Sequence, residues 1–189
     1  MVKSGVDGIR CINLGSTENS NWVEDSQFIN KIKLDAKRIR GEVISGAVDV
    51  EGYLQSTISK VFFNFDKDKR DIFNNTILDK DFFTFNEKQK TMNKLIDAFP
   101  EIFFSIDKEK KGDLNKKIEY VKEHRNIFAH NEIIINLADK TAYFERNGEK
   151  YPITDEFLVQ FKQCVSSIEQ YFVPIWMKLA DSRKNKKAK

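Results

Sequence analysis

Apolar and small residues recur at Ile29, Ile32, Ala36, Ile39, Val43, Ala47, Val50, Leu54, Ile58 and Val61, in steps of three and four throughout. That spacing keeps one side of an α-helix apolar. It predicts a single amphipathic helix of about 35 residues, with Asp25 or Ser26 as its cap. Gly41 and Gly46 weaken this helix while letting a neighbour come close. Met92, Leu95, Ile96 and Phe99 repeat the period and predict a helix from Thr84 or Phe85 to Phe99, which Pro100 ends. Leu114, Ile118, Val121 and Phe128 predict a third, capped by Asp113 and finishing near His130-Asn131. Phe157, Leu158, Phe161, Val165, Ile168, Tyr171, Phe172 and Ile175 predict a last one, capped by Thr154.

Between the third and last helices the period falls to two. Residues 132–137, 141–146 and 149–153 read as a small meander, and Asn147-Gly148 is the pair that a two-residue hairpin turn selects. Residues 64–80, charged and Asn-rich, predict a loop with at most a short helix, and Phe82, Phe83, Phe85, Phe103 and Phe104 read as core. The expected fold is therefore mainly α: an antiparallel helical bundle over residues 25–180 with a small β-hairpin or meander before its last helix. Residues 1–24, broken by Gly5, Gly8, Gly15 and a polar run, read as an arm in which residues 9–14 pair as a strand or dock on the body. Residues 181–189 read as a basic tail.

Composition narrows the class. The 189 residues include 16 Phe but only 8 Gly and 3 Pro, enough apolar side chains for a real core and too few turn formers for a disordered or turn-rich chain. Residues 183–189 hold five of the 32 basic side chains and no acidic one, so the rest of the chain has 27 bases against 29 acids. The net charge of +3 thus belongs to the tail, and a nearly neutral body argues against a general nucleic-acid coat protein. No apolar run reaches the roughly 18 residues that a membrane-spanning helix needs, and residues 1–8 lack the apolar segment of a signal peptide, so a cytoplasmic protein with no membrane partner is expected. Cys11 and Cys164 read as plain thiols.

Motifs for phosphate loops, thiol pairs, zinc proteases and serine hydrolases are absent, and with only His124 and His130 a multi-histidine metal site within one chain is excluded. No cofactor is expected. One constellation has chemical promise: residues 123–131 place Arg125, Asn126 and His130 at the end of the third helix. Asn126 and His130 are four apart and share a face, whereas Arg125 lies about 140° around the helix from His130, a gap its long side chain can close. A guanidinium can hold phosphate oxygens, and an imidazole can move a proton to or from a ribose hydroxyl near neutral pH. The same two residues could instead satisfy carbonyls at the helix end. Lys122, four residues before Asn126, could add an RNA contact or belong with Lys116 and Lys117 to a solvated face; Tyr120 and His124 could stack on bases.

Arg125-Asn126-Ile127-Phe128-Ala129-His130 resembles the Arg-Asn-x-x-Ala-His signature of the HEPN superfamily (higher eukaryotes and prokaryotes nucleotide-binding domains). Its place at the end of a late helix, after a long helix and before a final amphipathic one, agrees with that likeness over roughly residues 26–175. Residues 48–54 resemble the family's helix segment with an acidic residue beside the core stripe. Glu51 occupies that place, seven residues from Ile44 and from Ile58, where an unpaired carboxylate is costly; Arg125 is the partner expected for it.

The resemblance implies a metal-independent endoribonuclease, of the kind found in toxin–antitoxin pairs and anti-phage defence, working as a homodimer whose two motifs face each other across one cleft. It implies that His130 is the general acid/base, that Arg125 binds the scissile phosphate, that Asn126 orients the histidine or the substrate, and that Glu51 supports them. Partners would be RNA and an antitoxin or regulatory protein, and products would carry a 2′,3′-cyclic phosphate. The alternative is a non-catalytic HEPN-like module that binds RNA, a nucleotide or a regulatory protein. A third is a plain helical scaffold.

Overall fold

The computed structural model describes residues 3–4, 9–12, 22–64 and 66–187. Of the expected arm, residues 1–2, 5–8 and 13–21 lie outside the described residues, as do residues 188–189 of the expected tail. The chain is mainly helical with a small sheet. Helix α1 spans Trp22–Phe63, α2 Lys67–Phe73, α3 Phe85–Ala98, α4 Lys108–His130 and α5 Asp155–Lys187; strands are β1 Lys3–Ser4, β2 Ile9–Ile12, β3 Ile133–Asn136, β4 Thr141–Arg146 and β5 Glu149–Pro152.

Local chemistry explains most boundaries. α1 starts before the expected cap, so that Glu24 and Asp25 fall in its first turn, where carboxylates meet the positive end of the helix dipole. It ends at Asn64, whose φ of 53° is the left-handed stop that asparagine tolerates and whose N–H donates to the Lys60 carbonyl at 2.7 Å. In the polar segment that follows, Asp66 caps α2 by accepting from the Lys69 N–H at 3.2 Å. A π-helical turn, Asn74–Leu78, continues it. α3 starts where the sequence suggests, and Thr84 caps it by accepting from the Glu87 N–H at 3.3 Å. α4 begins five residues earlier than the sequence suggests, because Asp107 takes the Lys110 N–H at 2.9 Å and Gly112 is carried inside the helix. Thr154 caps α5 through the Phe157 N–H at 3.2 Å, and the helix runs on to Lys187, into the stretch read as a basic tail.

The chain forms two compact units, residues 1–45 with 123–162 and residues 46–122 with 163–189. The first unit contains the sheet. Its strand order is β1-β2-β3-β4-β5; β3, β4 and β5 form the expected antiparallel meander, and Asn147 and Gly148 turn the hairpin with φ of 53° and 83°. β2 adds in parallel to β3, pairing Ile9 with Ile133 and Ile12 with Asn136, so the arm does contribute a strand. Ile32, Ala36, Ile39 and Val43 of α1 are buried in this unit, as are Ile127 and Phe128 of α4, Ile133–Ile135, Phe144, and Phe157 and Phe161 of α5.

In the second unit the stripe continues through Val50, Leu54 and Ile58, all fully buried, with Met92 and Leu95 of α3, Leu114 and Ile118 of α4, and Ile168 and Phe172 of α5. Phe103 is core, but two other phenylalanines read as core are not: Phe82 is 68 % exposed and Phe104 59 %. Phe82 stands in the turns before α3, and the Phe104 ring carries the Lys178 ammonium 4.4 Å from its centre, a contact that leaves it at the surface. No helix among the described residues is long and apolar enough to cross a membrane.

Candidate functional site at the end of helix α4

The last turns of α4 belong to the first unit, and their inward face is set by His124, Ile127 and Phe128, which are buried. The helical period therefore turns Arg125 and His130 outward. Both are exposed, and Asn126, between the two faces, is half-buried. Arg125 donates from Nη1 to Asn126 Oδ1 at 3.1 Å, so the amide steadies the guanidinium. His130 is the final helical residue, and its imidazole makes no hydrogen bond with the described residues. A guanidinium and an imidazole thus share one exposed helix end.

Arg40 was not singled out by sequence reasoning, yet it anchors this end. It lies on the flank of the α1 stripe, four residues after Ala36 and three before Val43. Its Nη2 donates to the carbonyl of Asn131, the residue after His130, at 3.1 Å, and its guanidinium sits 5.1 Å from the centre of the Phe144 ring. Burial pulls the Arg40 pKa below its ordinary value. A charged residue at the edge of an apolar stripe is the signal that could have found it.

His124 is no candidate for base stacking. It is 8 % exposed and packed among rings from α4, β5 and α5: Phe157 lies parallel at 5.3 Å, Tyr151 edge-on at 5.6 Å and Phe128 at 6.5 Å. The Tyr151 phenol is pushed up to about 12, chiefly by donating its proton to Glu149 at 2.7 Å. Tyr120, the other residue read as a stacking group, is half-buried, and burial raises its phenol pKa.

Glu51 and Lys122 lie in the second unit and are held there by other partners. The ion pair of Glu51 is with Lys88, at 2.6 Å, where the sequence suggested Arg125. Lys88 is on the inward side of α3 with its side chain 5 % exposed; Gln55 Oε1 also faces its ammonium at 3.0 Å. The helical period places Glu51 beside the apolar stripe but does not say which helix it meets there. The Lys122 ammonium is surrounded by Glu119 at 2.7 Å, Asn86 at 3.3 Å and Gln89 at 3.4 Å, one acceptor for each of its three N–H groups. It ties α4 to α3. Cys164, half-buried beside the Lys117 carbonyl, is a free thiol raised in pKa by burial. Among the described residues no three of His, Cys, Asp and Glu group as a metal site would require. No family model, curated protein or solved structure matches the chain.

Proposed function

We propose that the chain is a HEPN-type endoribonuclease whose exposed Arg125 and His130, with Asn126, form one half of a composite site completed by a second copy. The observation that carries this reading is the outward placement of guanidinium and imidazole together at the end of α4, the first fixed by Asn126 at 3.1 Å and the second free of hydrogen bonds with the described residues. In RNA cleavage the 2′-oxygen attacks phosphorus, a base takes the 2′ proton, the bond from phosphorus to the 5′-oxygen breaks, and an acid protonates that oxygen. The products are a 2′,3′-cyclic phosphate and a 5′-hydroxyl. One helix end offers one imidazole, whereas this sequence of steps needs a base and an acid; two-fold apposition of the same surface supplies both. Arg125 holds the phosphate and stabilises the charge that builds on its oxygens. Asn126 orients the guanidinium.

The expected setting is a toxin or an anti-phage defence component, in the cytoplasm. Purified protein should cleave RNA in excess chelator and sediment as a dimer, and Arg125→Ala and His130→Ala should each abolish cleavage without unfolding the chain. Relief of growth inhibition by the same two substitutions would mark the activity as toxic. RNA binding without cleavage would instead identify a non-catalytic binding module.

A further inference from the structure

The second unit holds a cavity of about 370 Å³, within the range of small-molecule sites, that shares no residue with the Arg125–His130 cluster. One of its walls is cationic. Lys110 and Lys117 come from α4 and lie seven residues apart, two turns of one face. Lys110 gives one N–H to the Ser105 carbonyl at 3.1 Å, and Lys117 gives one to Asp113. An ammonium has three such donors, so each keeps capacity for a ligand. Asp113 also accepts from the Tyr171 hydroxyl at 2.5 Å, and Asp107 accepts from the Lys110 backbone N–H at 2.9 Å; the cavity lining itself carries two ammoniums and no carboxylate.

Two further observations point to a ligand. The Ser105 hydroxyl oxygen is shut off from solvent and has no hydrogen-bond partner, although Ser105 lines the cavity. On the α5 side, Pro174 sits inside the helix and has no N–H to give to the carbonyl of Gln170, and both residues face the cavity. The rings of Pro174 and Tyr171 line that side together with Ser167 and Gln170.

We propose that this cavity binds a small aromatic anion: a planar ring bearing one phosphate or carboxylate group. The oxyanion would lie between Lys110 and Lys117, and the ring would lie on Tyr171 and Pro174. The proposal stands apart from the RNA reading, because none of its residues belongs to the proposed nuclease site.

The probes are phenyl phosphate, benzoate, phenol and inorganic phosphate, titrated into the full chain by calorimetry at low ionic strength. Phenyl phosphate or benzoate should bind at one site per chain, and whichever binds more tightly tells phosphate from carboxylate as the preferred head group. Phenol, lacking the charge, and inorganic phosphate, lacking the ring, should each bind about tenfold more weakly or worse. Lys110→Met and Lys117→Met should each weaken the tighter ligand about tenfold. Lys110→Met breaks only a surface bond to a carbonyl and so keeps the test valid if the Lys117 variant fails to fold. Absence of binding by both charged probes, equal binding of phenol, or unchanged affinity in folded Lys110→Met overturns the proposal.

Discussion

Replacing Glu51 by Met strands the ammonium of Lys88. The Lys88 side chain is 5 % exposed and, among the described residues, takes its counter-charge from Glu51 at 2.6 Å, with the neutral oxygen of Gln55 at 3.0 Å as its other acceptor. Breaking a buried pair by removing one partner costs about 3–5 kcal/mol. Because the Glu51 side chain is 33 % exposed and partly screened by solvent, we scale the expected loss for Glu51→Met to about 2–3 kcal/mol. Lys88→Met should cost less, about 1 kcal/mol, since the carboxylate left behind can turn to water. The double variant Glu51→Met/Lys88→Met carries no unpaired charge and should lie within about 1 kcal/mol of the parent, giving a coupling of about 2–4 kcal/mol. Urea unfolding of the four proteins measures this cycle. A coupling under about 0.5 kcal/mol would refute the pairing. The Arg125 partner suggested by the sequence predicts the coupling with Arg125→Ala instead, so one extra cycle separates the two.

The other predictions concern the anchor of α4 and the alkaline limit. Arg40→Met removes the bond to the Asn131 carbonyl at 3.1 Å and the contact with Phe144, and should lower stability by about 1–3 kcal/mol in the same unfolding assay; Arg40→Lys should not restore it, since an ammonium has no planar fork to bridge both partners. The phenols of Tyr151 and Tyr171 are pushed up to about 12, Tyr151 chiefly by its bond to Glu149 and Tyr171 chiefly by burial and then by Asp113. Their folded pKa lies above the ordinary value of 10.0, so the stability they contribute is fully present below pH 10 and is lost as the pH climbs through 12. Tyrosinate absorbance should place Tyr151 and Tyr171 among the late-ionising phenols, with Tyr151→Phe and Tyr171→Phe each removing one; five tyrosines ionising together near pH 10 would contradict both assignments.

What the sequence discloses and what it conceals follow from range. The α1 stripe, the start of α3 near Thr84, the Thr154 cap and the Asn147-Gly148 turn are written within a few residues, and each is found where the pattern puts it. Glu51–Lys88 joins residues 37 apart, Arg40 reaches 91 residues to Asn131, and the arm strand at Ile9 pairs with Ile133. A period tells which side of a helix faces inward, not which helix it faces, so such partners are invisible locally. His124 illustrates the point: it stands beside Arg125 in a motif-like run, yet the same 3.6-residue period that turns Arg125 outward buries His124 among rings from three elements. Lys122 looks free in sequence because its three acceptors lie on two different helices.

The central claim is that Arg125 and His130 cut RNA by attack of the 2′-hydroxyl. Its most direct test is the chemistry of the ends left when the protein and its His130→Ala variant are each incubated with RNA in excess chelator and the fragments are weighed by mass spectrometry. The account predicts 2′,3′-cyclic phosphate and 5′-hydroxyl termini from the parent and intact RNA from the variant. Fragments with other termini, or the same fragments from both proteins, would contradict it.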